Sequence, residues 1–214
     1  MSEQVPIFEL GLAIVPGEQV PLHIFEQRYR LMMAHCLEDG VPFGIVFRDD
    51  AGARSVGCTA DVTEVVERYE DGRMDIVVTG ADPFRVLDRF EADDWPAAQV
   101  DFIPLEVATP ENAEELGAVR AAFAELLEAV GAKKERAEAA ETAFAVAAQI
   151  EMPPGEKQAL LEVADERDRL LALEGSLRRL IAGLKKTRRL GERAKTNGHA
   201  PGRIGPIQRP GDGD

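Results

Sequence analysis

Side chains able to act as nucleophile, base or metal ligand are few. Histidine occurs at His23, His35 and His199, cysteine at Cys36 and Cys58, and serine at Ser2, Ser55 and Ser176. A serine or cysteine hydrolase needs a nucleophile, a base and an orienting group within reach of one another. His23 lies in Pro21-Leu22-His23-Ile24-Phe25-Glu26-Gln27-Arg28-Tyr29, with Glu26 close by but no serine or cysteine beside it. A histidine at a strand-to-helix junction, satisfied by backbone groups, accounts for it better than a catalytic base does. His35 and Cys36 are adjacent, and adjacent helical residues face different ways. Cys36 falls on an apolar stripe and reads as core. Cys58 could approach it in space, but a metal site needs further ligands, and no Cys-x-x-Cys is present. Gly183-Leu184-Lys185-Lys186-Thr187 resembles a phosphate loop only superficially, because Leu180 and Lys185 occupy its two glycine positions. The spacing assigns no catalytic, cofactor-binding or metal-binding residue, and no enzyme activity is expected.

Charge narrows the field further. The 214 residues carry 25 Lys and Arg against 39 Asp and Glu, a net charge of −14. The imbalance lies in the body: residues 185–214 hold eight basic and three acidic side chains, leaving −19 on residues 1–184. Phosphate-backbone binding rests on Lys and Arg displacing counterions, so the body argues against nucleic acid. The chain is 45% hydrophobic and 30% charged, which suits a globular fold of one large or two small domains. No run of about 18 apolar residues suggests a membrane span. Met1 to Glu9 lacks the basic start of a secretory signal, and two isolated thiols fit a reducing, cytoplasmic setting.

These residues must be positioned by two unlike halves. Residues 1–106 are rich in Val, Ile, Phe, Gly and Pro, whereas residues 107–185 are rich in Ala, Leu and Glu. The pattern predicts an α+β protein. Strands are expected at Pro6–Leu10, Gln19–Phe25, Phe43–Arg48, Val56–Tyr69, Met74–Thr79, Phe84–Phe90 and Ala97–Ile103, with Ala13–Val15 a further candidate, for a sheet of about six strands. Val62, Val65 and Val66 imply a bulge, and Asp71-Gly72 is a hairpin signal. Met74, Ile76 and Val78 alternate with Asp75, Val77 and Thr79 on opposite faces. One helix, Glu26–Asp39, places Tyr29, Met32, Met33, Cys36 and Leu37 on a single stripe, with Gly40 to end it. Many short strands joined by hairpins favour a small barrel or curled sheet.

The second half reads as four helices, Ala113–Val130, Glu135–Glu151, Gly155–Ala164 and one opened by Asp165 as N-cap. Leu170, Leu173, Leu177, Leu180 and Leu184 form a stripe of about two heptads, short for a coiled coil, so packing within the chain is expected. A helical bundle over residues 107–185 follows. From Lys186 the apolar pattern fails, and residues 186–214 read as a disordered basic tail. Trp95, between Asp94 and Pro96, is either an apolar anchor under the barrel or an exposed binding residue.

Residues 6–104 resemble the substrate-binding N-domain of the Lon ATP-dependent protease family. The resemblance rests on Pro6-Ile7-Phe8-Glu9-Leu10, Val15-Pro16-Gly17, Pro21 to Tyr29 and Phe43-Gly44-Ile45-Val46. It continues through Val56-Gly57-Cys58-Thr59-Ala60, Asp71 to Val77, Gly80 and Phe84-Arg85-Val86. In the helical half, Pro154-Gly155-Glu156-Lys157-Gln158-Ala159-Leu160-Leu161-Glu162 is similar to a family stretch before its last helix. The resemblance implies a PUA-like pseudo-barrel followed by a helical bundle. It further implies a role in capturing unfolded or tagged proteins for an ATPase ring and a peptidase. The same domain serves protein recognition in cereblon and in some RING-finger ligase proteins. These 214 residues contain no Walker A loop or peptidase motif, so the chain resembles stand-alone bacterial Lon-domain proteins. On this resemblance Arg28 and Tyr29 are expected to fix the helix on the barrel, with Glu26 and Arg28 in a local ion pair.

The functional expectation is a non-catalytic module for unfolded or peptide-like protein segments, held on apolar surface or an exposed strand edge. A separate ATP-dependent protease is a further expected partner. The acidic body suits basic or weakly charged clients. RNA binding by a PUA-like domain is the alternative, with Lys185 to Lys195 as its phosphate contacts. A hydrolase built on His23, Cys36 or Cys58 is the weakest reading.

Overall fold

The structure, a computed structural model, describes residues 3–92, 94–107 and 109–197, with side chains as far as Leu190. Six strands form one sheet: β1 (Glu3–Leu10), β2 (Gln19–Ile24), β3 (Phe43–Asp49), β4 (Gly52–Arg68), β5 (Met74–Ala92) and β6 (Trp95–Phe102). Five of them close on themselves. β1 runs parallel to β3 and antiparallel to β6, while β5 pairs with both β4 and β6, so the ring is β1-β3-β4-β5-β6. β2 lies outside the ring, antiparallel to the first part of β5.

Closing so small a ring requires strong bending, and the long strands supply it. Register shifts interrupt β3–β4, β4–β5 and β5–β6, each adding local twist. The expected strands Met74–Thr79 and Phe84–Phe90 are one continuous strand. Gly80 and Pro83 bend it without ending it, and the Thr59 hydroxyl grips the bend, accepting from the Asp82 amide at 2.9 Å. Gly80 also lets the chain pass closely: a Cβ there would lie 2.3 Å from the Val15 carbonyl oxygen. The expected strand at Ala13–Val15 is instead irregular chain, with all three residues buried.

Helix α1 (Gln27–Asp39) buries Tyr29, Met32, Met33 and Cys36, the stripe read from the sequence. Gly40 ends it in the left-handed region at φ 64°, where a side chain would be strained.

A single 3₁₀ turn (Pro110–Asn112) leads into α2 (Ala113–Ala129). The expected helix Glu135–Glu151 is broken into α3 (Glu135–Glu138) and α4 (Ala143–Ala147). The break has a physical cause. Ala143 donates its amide to the Glu166 carboxylate at 2.7 Å, and Thr142 caps Ala145 at 3.1 Å. A continuous helix would consume both donors. Helix α5 (Pro154–Glu162) follows, then α6 (Glu166–Asn197). Asp165 caps α6 as expected, accepting from the Asp168 amide at 3.1 Å.

Glu166 also pairs with Arg169, and both are almost fully buried. Arg169 donates to the carbonyls of Leu160 (3.2 Å), Val163 (2.6 Å) and Ala164 (3.3 Å), satisfying the end of α5. Leu170, Leu173, Leu177 and Ile181 of α6 are buried. Leu184, expected on the stripe, is 42% exposed. A 3.6-residue period drifts from a 3.5-residue stripe, and Ile181 takes the inward place. Helix α6 runs about 48 Å at 1.5 Å per residue. It continues through residues 186–197, where a disordered tail was expected; residues 198–214 of that tail lie outside the described residues.

The main apolar core does not divide near residue 107. It runs from Phe8 and Ile14 in the barrel through Phe123 and Phe144 to Leu177 and Ile181. A smaller cluster, including Ile7, Val46, Phe84 and Val100, fills the other part of the ring.

Candidate functional site

Among the described strands, β2 pairs on one side only and so presents a free edge along its whole length. Glu18, just before β2, accepts from the Gly80 amide at 2.9 Å, so the even-numbered backbone groups of this segment face β5. Alternation turns those of Gln19, Pro21 and His23 outward. Pro21 fits that assignment, since a sheet proline sits where its missing N–H faces no partner strand. The free edge thus offers N–H groups from Gln19 and His23 and carbonyls from Gln19, Pro21 and His23.

Side chains beside this edge form a short row. His23, Asp75 and Glu67 are cross-strand partners on β2, β5 and β4. His23 Nδ1 lies 2.5 Å from Asp75 Oδ1. The Tyr69 hydroxyl donates to Asp75 Oδ2 at 2.7 Å and stands 3.1 Å from Glu67 Oε2. Those bonds set the titration. The His23 contact, then Tyr69, hold the Asp75 carboxyl below the usual range, and the Asp75 bond, the largest influence, pushes the Tyr69 phenol up to about 12. Phe25 stacks on His23 with ring centroids 5.9 Å apart and is 59% exposed. The row is an apolar and aromatic shelf with an acidic floor.

The far half of β4 has an open side too, but it is guarded. Its register shifts twice between Val62 and Glu67, and Asp61, Glu64, Glu67 and Arg68 line it. Bulges and charges are the usual obstacles to strand addition. Gln19–Ile24 carries no carboxylate, lysine or arginine.

The other sequence candidates take structural places. His23 is satisfied by Asp75, a side chain 52 positions away, and not by the backbone groups expected at that junction. Cys36 and Cys58 are both buried free thiols. Burial pushes Cys36 up to about 11 and raises Cys58 strongly, so both are protonated thiols at neutral pH. His35 pairs with Asp39 at 2.8 Å and stacks on Trp95 at 5.0 Å. Trp95 is the half-buried anchor of the two options, packed against the main core. Glu26 and Arg28 form the expected ion pair at 3.0 Å, both half-exposed. Among the described residues no three His, Cys, Asp or Glu side chains gather as a metal site.

With this geometry in hand, comparison with known proteins is decisive. The family model of the ATP-dependent protease La (LON) substrate-binding domain matches residues 4–179. The chain belongs to this family. It is 26% identical over 216 residues to the Lon protease of Paraburkholderia phytofirmans, covering 92% of this chain and 26% of that protein. The chain therefore spans about a quarter of that relative's length. The fold resembles the N-terminal domain of Mycobacterium avium complex Lon protease, with a TM-score of 0.70 and 19% identity over 82% of this chain and 98% of that one. It also resembles a Lon N-terminal domain protein from Xanthomonas campestris, with a TM-score of 0.59 and 20% identity over 80% of this chain and 96% of that one.

In this Lon domain the Pro154–Glu162 stretch acts as a clasp between its halves. Lys157 pairs with Glu18, both nearly buried, and Glu18 also accepts from the Val15 amide at 3.2 Å. Gln158 donates to the Val56 carbonyl of β4 at 3.1 Å. The clasp braces the chain leading into β2. Sequence reasoning did not find the Asp75–Tyr69 partners of His23. The signal was available in the alternation of Asp75, Val77 and Thr79, which marked an outward face.

Proposed function

We propose that the chain is a non-catalytic module that binds an extended, unfolded segment of another protein by adding it as a strand to β2. The observation that carries this reading is the open, uncharged edge of β2 beside the ring. Main-chain hydrogen bonds would supply affinity independent of client sequence, and the Phe25–His23–Tyr69 shelf would favour apolar or aromatic side chains. The relatives whose family name includes substrate binding support the same reading. Handing the bound segment to an ATP-dependent protease, and a cytoplasmic setting, belong to the proposal. Among the described residues no helix is long and apolar enough to cross a membrane.

The test uses an unstructured apolar peptide and two versions N-methylated at alternate positions. A strand added to β2 must bond through every second residue. One methylated series should lose binding and the other keep it. Equal loss in both, or in neither, overturns strand addition.

A further inference from the structure

A groove of about 350 Å³ opens where α6 leaves the helical bundle, beside the end of α2. Its mouth is apolar: Val130 and Ala132 after α2, Ile150 after α4, and Leu180 and Leu184 on α6. Val130 is 58% exposed and Leu184 42%, while Ala132, Ile150 and Leu180 are half-buried. Nothing among the described residues covers this mouth. Its charged lining is one basic side chain, Arg136, and one acidic, Glu151, so the groove favours neither sign of charge. What it can hold is an apolar edge.

The sequence beyond Asn197, outside the described residues, contains such an edge. Pro201, Ile204, Ile207 and Pro210 recur at every third position, and Gly202, Arg203, Gly205, Pro206, Gln208 and Arg209 fill the places between. A polyproline II helix has three residues per turn, so the four would line one side of it. Strand alternation would split them between two faces. Ile204 and Ile207 are the large apolar residues of 198–214. Reach agrees as well. Asn197, the last residue of α6, lies about 20 Å past Leu184 and about 26 Å past Leu180 at 1.5 Å per residue. A segment turning back at Gly198 and rising 3.1 Å per residue puts Ile204 about 19 Å and Ile207 about 28 Å from the turn. The two isoleucines thus arrive level with the two leucines.

We propose that residues 201–210 fold back along α6 as a polyproline II segment and cover this groove, with Ile204 at Leu184 and Ile207 at Leu180. Gly198 supplies the freedom to reverse. The prolines hold the segment near its docked shape, so little order is lost on docking. Tethering does the rest: a short connection gives an effective concentration in the millimolar range, so a weak contact keeps the groove covered. The result is an apolar surface masked by the chain itself and opened when the segment lifts away. The assignment is independent of strand addition at β2.

The test uses the full chain with a nitroxide on Gln208→Cys. Cys36 and Cys58 are buried and escape the label. Magnetic resonance signals of the Val130, Ala132 and Ile150 amides should broaden, and the broadening should fall several-fold when Ile204→Asp and Ile207→Asp are added to the same chain. Without the nitroxide, the doubly substituted chain should bind an apolar fluorescent dye several-fold more than the unaltered one. A free peptide of residues 198–214 should displace that dye with Kd below about 1 mM, the range that tethering makes sufficient. Broadening that ignores the two substitutions overturns the proposal, as does dye binding that they leave unchanged. A mixture of nitroxide-bearing chains with isotope-labelled chains lacking the nitroxide separates the remaining case. Broadening carried fully from one chain to the other gives the groove to a second copy's segment and overturns the assignment within one chain.

Discussion

Lys157 and Glu18 are each other's charge partner in a place that water scarcely reaches. Removing one member leaves the other buried and unpaired, which costs about 3–5 kcal/mol. Lys157→Met should therefore lower stability by that order in urea unfolding, and Glu18→Gln added to it should recover much of the loss. Gly80 is the second sensitive position. A methyl group there meets the Val15 carbonyl, a backbone atom that cannot swing away. Gly80→Ala should cost about 1–3 kcal/mol, the range for overpacking. The Asp75 cluster gives a pH signature. A carboxyl held low by folding contributes stability above about pH 4, its unfolded value, and loses it as pH falls through the lower folded value. Tyr69, raised to about 12, contributes below about pH 10 and loses its share as pH rises through the folded value. Unfolding midpoints across pH should decline less at the acid end in Asp75→Asn and less at the alkaline end in Tyr69→Phe than in the unaltered chain.

Among the elements, those governed by neighbouring residues were legible and those governed by distant ones were not. Helix α1 announced itself through the spacing of Tyr29, Met32, Met33 and Cys36 and through Gly40, all local signals. The Asp71-Gly72 turn and the inward Met74, Ile76 and Val78 were equally plain. The small barrel was expected, but not the pairings that close it, because the parallel β1–β3 and antiparallel β1–β6 ladders join segments whose patterns carry no address for one another. The break between α3 and α4 escaped notice for the same reason. An alanine-rich run favours helix, and the carboxylate that interrupts it sits 23 residues away on α6. In the candidate site His23 was visible as a singular residue, but its partner Asp75 becomes a neighbour only on folding. Thr142→Ala should report the break directly. Losing the cap of α4 should cost about 1 kcal/mol in denaturant unfolding.

The molecule as a whole shares one core across its β-rich and helical halves, from Phe8 to Ile181. Cutting near residue 107 would expose both sides of that core. Unfolding followed by tryptophan fluorescence, which watches the barrel, and by far-ultraviolet dichroism, which watches the helices, should give one coincident transition. The outer part of α6 should behave differently, since residues 182–190 are all exposed. Truncation after residue 184 should lower helical content and leave the transition midpoint nearly unchanged, because the Lys185–Glu125 pair it removes is an exposed one. A molecule with an open, uncharged edge also faces a hazard of copying. Any two chains could zip their β2 strands together, as each is an extended ribbon seeking a mate. Pro21 interrupts the ribbon midway, so that two copies laid side by side lack a rung where a foreign strand can bulge past. Pro21→Val would restore the rung, and light scattering at rising concentration should then show chains assembling on one another.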